Sequence, residues 1–515
     1  MKYVFILFVQ VFFVISLLVA QKSTFEKTVT LNIHPDLIPS LNLKMAPFFH
    51  GVASGDPTQT SIIIWTRVTL DTVIKTANVN WELATDSLFT NVVKKGSAET
   101  NQNQDFTVKI DVENLQSHHT YYYRFIYEDS KSIVGKTETL TSDLSEVSIA
   151  FASCSNYEWG YFNNYRAIAM NTEVNMVVHL GDYIYEYGVG KYGDTSIGRL
   201  NVPAYEITSL ADYRTRYSLY RLDTDLVKVH QEKPFITTWD DHESANNAYK
   251  DGAENHQSDE GLWLTRKNAA KKAYYEWLPV RETKINRLYR DFEIGKLVNL
   301  IILDTRLEGR TSQVTMNSPA YEDSTRFILG KEQYAWLTNQ LKKDHVWNII
   351  GNQVLFGSLT LEENNKKEKY MDGWEGYPFE RKRLIHFLDD QNKKNTVFVT
   401  GDFHNAFALE SDLTGTKDTL DNIGVEFVVT SINSANDNEY NSETKTNEIK
   451  QEYLANNPNL KYCNNKDHGY LVLKITKDKL RASYHYTSNI RNRLGSDSIE
   501  AIFEVDSKSA VIHKK

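Results

Sequence analysis

The chain has 515 residues, 41% of them hydrophobic and 24% charged, a balance that suits globular domains and excludes wholesale disorder. Lysine plus arginine number 58 and aspartate plus glutamate 67, and the net charge of −9 argues against a general nucleic-acid binder, which needs a basic excess. Two cysteines, Cys154 and Cys463, exclude a disulfide scaffold and a four-cysteine zinc site, and at about 150 residues per domain the length predicts two to four domains.

Residues 1–20 read as a secretory signal peptide. Lys2 gives the positive start, Tyr3 to Ala20 form an almost unbroken apolar run, and Leu18 and Ala20 stand at the −3 and −1 positions. The alternative is an uncleaved anchor, because about 18 apolar residues just span a bilayer. No later segment is as long and apolar, so the mature chain is expected to be exported without a membrane span. Residues 21–44 read as a polar connector.

From 45 to 143 the pattern is short strands. SIIIWTRV, ANVNWELAT, QDFTVKIDV and HTYYYRFIYE are rich in β-branched and aromatic residues, and the turn signals GDPTQ, LQSHH and EDSKS separate them. This predicts a β-sandwich of immunoglobulin or fibronectin type, the second fitting better without paired cysteines. From 146 to 505 strands alternate with helices, which predicts a layered α/β domain. VSIAFASC, NMVVHLGD, KLVNLIILDTR, VWNIIGNQVLF, NTVFVTGDFHNAF and IGVEFVVTSI are near-continuous apolar runs, the pattern of strands covered on both faces. Helical patterns fill about 210–230 and 261–278. GYLVLKITKDKLRASYHYT and EAIFEVDS read as further strands closing a sheet edge, and NNKKEKY and NDNEYNSETKTNE as exposed insertions.

Polar residues cluster where five strands end: FASC at Cys154, HLGDYIY at Asp182 and Tyr185, WDDHE at Asp240 to Glu243, GNQ at Asn352, and GDFH at Asp402 and His404. Ligands of α/β sheets bind outside the carboxyl ends of strands, so five such ends can face one crevice. Each element alone has a plainer reading. A GD pair is usually a turn, a buried cysteine usually a small hydrophobe, and DDHE can cap a helix start.

Taken in order, these motifs resemble the calcineurin-like metallophosphoesterases, and more closely the PhoD-type alkaline phosphatases. The resemblance includes FHGVASGDP at 49–57 and IWTR at 64–67 and covers nearly the whole mature chain. It implies a two-sheet catalytic domain flanked by helices behind the N-terminal β-sandwich. It also implies a ferric ion with one or two calcium ions beside it. Carried over by motif, Cys154, Asp182, Tyr185 and His404 surround the iron. Asp182 as bridge, Asp241, Asn352 and Asp402 supply the calcium side with the oxygen ligands a hard cation prefers. The implied activity is hydrolysis of phosphate monoesters and also diesters, on small molecules or polymers, by attack of a metal-activated water or oxo group.

Around that centre, Arg166 is the expected phosphate clamp, its plainer role being a structural ion pair. His242 is expected to bind phosphate or protonate the leaving group, the alternative being support for the ligands. Asp240, Glu243, Asn246 and Asn247 are expected beside the ligands rather than among them. His179 is expected to be buried and hydrogen-bonded, and Asp304-Thr305-Arg306 to hold the scaffold. The tyrosines of DYIYEYGVGKYG, with Trp374 and Tyr377, read equally as an entrance rim or as packing. The rival functions are a phospholipase D-like diesterase and a cell-surface binding protein. A monomer is expected, with Cys463 unpaired.

Overall fold

The apolar runs become strands because both of their faces meet hydrophobic side chains. In the computed structural model, which describes residues 30–141, 143–283, 287–363, 366–411 and 422–515, they build two large sheets. The signal-peptide reading lies outside the described residues. Among those described, no helix is long and apolar enough to cross a membrane.

The first sheet has ten strands. Its centre is Glu146–Ala152, Met176–His179 and Phe235–Thr237, side by side and parallel. On one side it continues antiparallel through Gly469–Thr476, Lys479–Thr487 and Asp497–Asp506. The second sheet has seven strands, four of them parallel: Val298–Ile302, Trp347–Asn352, Thr396–Thr400 and Gly424–Val428. The two sheets pack face to face, Val147, Ile149 and Phe151 meeting Leu300, Ile302, Val397 and Val399. The alternate residues face helices. Ala150, Ala152 and Val177 lie against Tyr165, Ile168 and Tyr217, and Ile301, Ile350 and Phe398 against Leu337, Leu341 and Leu384. Full burial of each large apolar side chain is worth about 1.5–3 kcal/mol, which rewards runs without polar interruption. The architecture is a mixed α/β fold.

The N-terminal strands are less separate than the sequence suggests. Val52–Gly55, Ile62–Arg67 and Thr107–Val112 extend the ten-stranded sheet on its other side, Gly55 standing in parallel register with Phe235. A second layer, which includes Thr76–Ala84, Val92–Asn101 and Thr120–Tyr127, covers them and packs Val79, Leu83, Tyr123 and Phe125 on Ile62, Ile64 and Val108. A Cβ on Gly55 would lie 2.4 Å from the carbonyl oxygen of Pro279 and 2.6 Å from that of Phe235. Only glycine admits that approach. Trp65 Nε1 donates to the Glu276 carbonyl at 2.7 Å, and Arg290 pairs with Asp56 at 2.7 Å. The GVASGDP and IWTR segments therefore lock the N-terminal strands to the rest of the chain.

Capping residues set the helix ends. The stretch expected at 210–230 is two helices, Leu210–Arg221 and Thr224–Glu232, because the Asp223 side chain accepts from the backbone of Asp225 and Leu226 and starts a new helix. The asparagine-rich insertion is also folded, into Asp437–Tyr440 and Glu443–Asn456, whose first turns are capped by Asn436 and Ser442.

One buried acid on this scaffold makes stability depend on pH. Glu380, in helix Pro378–Asp390, turns one carboxylate oxygen to the backbone N–H groups of Ile328 and Leu329 at 2.6 and 2.9 Å. The other oxygen has no hydrogen-bond partner among the described residues, and burial pushes the pKa from 4.5 up to about 7. With the folded value raised, the contribution is full below the unfolded pKa and is lost as pH rises through the folded one. Glu380→Gln keeps an acceptor and removes the charge. Its stability relative to the parent is expected to improve by about 2 kcal/mol between pH 5 and pH 8, read by denaturant titration at both values.

Candidate metal centre

Cys154, Asp182, Asp241, Asp402 and His404 all follow the carboxyl end of a parallel strand. Four of them adopt left-handed backbone, with φ of 59° at Cys154, 56° at Asp182, 63° at Asp402 and 64° at His404. For residues with a Cβ this costs about 1 kcal/mol or more each, and such strain persists where the surroundings fix it. Here Cys154 N donates to the Gly181 carbonyl at 3.1 Å, and Ser155 N to that of Asp182 at 2.9 Å. The glycines before the two aspartates are steric necessities. A Cβ on Gly181 would sit 2.4 Å from the Asp240 Cβ, and one on Gly401 would sit 2.4 Å from the Ser153 Oγ.

These turns gather three overlapping sets of ligand atoms, each set within 4.8 Å: Cys154, Asp182 and His404; Asp182, Asp241 and His242; Asp240, Asp241 and Asp402. Asp182 belongs to the first two sets. Its Oδ2 lies 3.4 Å from Cys154 Sγ and accepts from the Tyr185 hydroxyl at 3.2 Å. Tyr185 in turn lies 3.2 Å from His404 Nε2. The other nitrogen of His404, Nδ1, lies 2.6 Å from the Ala435 carbonyl oxygen, which leaves Nε2 free to face the cluster as an acceptor. Ser434 Oγ bonds both the Cys154 carbonyl and the Tyr185 hydroxyl, at 2.9 and 2.8 Å. On the opposite side, Asp241 accepts from the backbone of His242 at 3.0 Å and of Asn247 at 2.6 Å. Asp402 accepts from Arg306 at 3.0 Å and from Tyr370 at 2.5 Å.

The electrostatics show a site short of positive charge. Burial pushes the Cys154 thiol well up, and the Asp182 charge pushes it further. Burial raises Asp182 as well, against the pull of His242, and it raises Tyr185, helped by Asp182 and Cys154. Asp402 is raised to about 6 by burial in spite of Arg306. Cys154, Asp182 and Tyr185 are thus held toward their neutral forms, and a cation among them would favour the anions. One buried oxygen, Asp240 Oδ2, has no hydrogen-bond partner among the described residues. The donor types agree with two kinds of cation: a thiol, a phenol and an imidazole on one side of Asp182, carboxylates on the other.

His242 adds a proton donor. Its Nδ1 lies 2.7 Å from Glu186 Oε2, and Glu186 is fixed by the backbone of Asn246 at 2.7 Å and the side chain of Asn255 at 2.9 Å. Burial opposes the imidazolium, but the Asp241, Glu186 and Asp182 charges outweigh it and hold His242 well above the ordinary histidine range. Tyr187 and Tyr192 flank this ring at centroid distances of 5.5 and 6.5 Å, a half-buried aromatic wall beside the centre. Glu243 stands behind the ligands, accepting from the backbone of Asp182, Tyr183 and Asp240 at 3.1, 2.8 and 2.8 Å. His179 is buried against the Tyr165 hydroxyl at 2.7 Å, its pKa lowered by burial to about 3.

Two sequence candidates make other bonds. Arg166 pairs with Asp225 at 3.3 Å and donates to Asn163 at 2.9 Å and to the Arg493 carbonyl at 3.0 Å, so its fork serves a structural ion pair. Asn352 uses its amide locally: it donates to the Val354 carbonyl and to Thr400 Oγ1, and accepts from Trp374 Nε1 at 3.2 Å. None of these bonds reaches the carboxylates. Trp374 and Tyr377 are fully buried, so packing is their role. Sequence reasoning placed Arg306 in the scaffold of the site, and its buried guanidinium meets Asp240, Asp372 and Asp402. It missed Glu186, though the spacing from Asp182 in GDYIYE was a signal. It also missed Tyr370 and Asp372, which follow the short, charged strand Lys366–Lys369 rather than an apolar run.

A layered α/β fold with a thiol, a phenol, an imidazole and several carboxylates at its strand ends defines a class of hydrolases with multi-cation centres. Known proteins narrow this. The profile of the PhoD-like phosphatases matches residues 149–484, and that of their N-terminal domain residues 36–141. Alkaline phosphatase D of Bacillus subtilis (strain 168) is 35% identical over 463 residues, 86% of this chain and 78% of that protein. A solved structure of PhoD superposes with a TM-score of 0.83 at 32% identity, over 92% of this chain and 93% of that one. The chain belongs to the PhoD-like phosphatase family and is a phosphoric ester hydrolase.

Proposed function

We propose that this chain is an exported phosphatase that releases phosphate from monoesters and also cleaves diesters. In this reading Cys154, Asp182, Tyr185 and His404 hold a ferric ion, and Asp182, Asp241 and Asp402 hold calcium. The observation that carries it is the position of Asp182, shared between a set containing sulfur and nitrogen and a set made of Asp241 and His242. Asn352 belongs on the calcium side in the same reading: its Oδ1 accepts one bond, from Trp374 Nε1 at 3.2 Å, and keeps a second lone pair for a cation. The division into an N-terminal unit of 45–143 and a catalytic unit of 146–505 belongs to the same reading. It is supported by the family profiles, which break between 141 and 149.

Bound cations would polarise the phosphoryl group and lower the pKa of a nearby water. The chain's own residues do the rest. Asp182, Asp241 and Asp402 fix the charge pattern that orients the ester, and Glu243 holds the Asp182 turn rigid. His242, kept protonated by Glu186 and Asp241, delivers a proton to the departing alcohol oxygen. Tyr187 and Tyr192 shield that proton donor from water.

Metal analysis tests the reading. Protein purified without chelator is expected to contain iron and calcium, and to lose nitrophenyl phosphate hydrolysis by at least about a thousandfold when both are removed. Zinc as the sole metal in active protein would rule out the iron–calcium assignment.

A further inference from the structure

A groove of about 610 Å³ opens beside the metal centre, lined by Asn247, Gln313, Val314, Met316, Lys369 and Met371 among others. That volume matches sites that hold small organic molecules, about 300–1,000 Å³, and exceeds what a phosphate group fills. The groove and the centre share a wall. The Asn247 backbone N–H donates to Asp241 at 2.6 Å, and Gln313 Nε2 bonds the Asn247 carbonyl at 3.3 Å and Asp372 at 3.0 Å. Asp372 then meets Arg306 at 2.9 Å, and Arg306 meets Asp402 at 3.0 Å. An ester with its phosphorus among Asp182, Asp241 and Asp402 therefore has its alcohol at the mouth of this groove.

The lining selects what enters. Val314, Met316 and Met371 supply apolar surface, and thioether chains adapt to varied shapes. Lys369 is the cation among the lining residues, and its ammonium is already engaged by Glu375 at 2.8 Å. Glu368 adds negative charge, while Asp372 is already paired with the buried Arg306 and Arg310. A second anionic group on the substrate would find Glu368 and, among the described lining residues, no unpaired cation.

We propose that this groove binds the alcohol portion of the substrate and selects phosphate esters of uncharged, partly apolar alcohols. The proposal rests on the phosphoesterase reading of the centre and adds its substrate class. Ethyl phosphate, hexyl phosphate and the hexyl ester bearing a terminal carboxylate test it, because all three leave as primary alcohols of similar acidity. The parent enzyme is expected to favour hexyl over ethyl by roughly tenfold or more in kcat/KM, and the carboxylate to remove that advantage. In the Met316→Ala/Met371→Ala double variant the hexyl-to-ethyl ratio is expected to fall below about threefold. Equal turnover of ethyl and hexyl phosphate by the parent, or an unaltered ratio in the double variant, would overturn the groove assignment. Failure of the parent to hydrolyse any of the three would instead overturn the reading of the centre on which it rests.

Discussion

Asp182→Asn is expected to lower kcat/KM for nitrophenyl phosphate by about a thousandfold or more, close to 4 kcal/mol of barrier, while the fold stays intact. Asp182 is the one residue common to the thiol-containing set and the set with Asp241 and His242. An amide there has the same shape and removes the shared negative charge. The substitution is also structurally mild. Asparagine tolerates left-handed backbone as readily as aspartate, so the φ of 56° adds no strain. Burial already pushes the Asp182 carboxyl toward its neutral form, so a neutral side chain is not penalised in the metal-free protein. Metal content should fall with activity, because one ligand oxygen becomes a nitrogen that cannot donate to a cation. Parental metal content together with more than a tenth of parental activity would remove Asp182 from the bridging role.

The parts of the site that were legible in the sequence are those where one strand end carries its own signal. FASC, HLGD and GDFH each join an apolar run to a polar residue, and the last two do so across a glycine whose Cβ would collide with the neighbouring strand end. What could not be read depends on helix phase or on pairing between distant segments. Arg166 looked well placed, twelve residues beyond Cys154. On helix Asn163–Met170, however, Tyr165 and Ile168 face the sheet, and the turn of about 100° per residue carries Arg166 away toward Asp225. The joining of the N-terminal strands to the main sheet rests on Gly55 meeting Phe235, a contact no local pattern encodes. Asp372 and Tyr370 reach the centre from a segment that follows the strand pair Thr360–Glu363 and Lys366–Lys369, where the sequence suggested only an insertion.

Arg306 carries the other large effect. Its side chain is fully buried, and its guanidinium meets Asp240, Asp372 at 2.9 Å, Asp402 at 3.0 Å and Asp241 at 3.9 Å. Burial alone would lower its pKa, but the carboxylates outweigh that and hold it charged. Arg306→Met removes this cation and leaves Asp240 and Asp402 facing each other's charge and that of Asp241, with Asp372 also close to Asp402. The metal-free variant is expected to lose about 3–5 kcal/mol of stability, the cost of breaking a buried pair from one side. The sign with pH follows from the same carboxylates. Asp402 is already raised to about 6, and without Arg306 it and Asp240 rise further. A raised folded pKa gives stability that is present below the unfolded pKa and lost as pH rises, so the deficit should be smaller at pH 5 than at pH 8. Arg306→Lys should fall between parent and methionine variant, because a point charge replaces a fork that spans four carboxylates. Added calcium should shrink the deficit, since a divalent cation restores the missing charge at Asp241 and Asp402. Urea titrations of the chelated protein and of the protein with added calcium, at both pH values, measure each of these effects. A deficit indifferent to pH and to calcium would mean that Arg306 acts by packing alone, and that the carboxylates are balanced by something other than its charge.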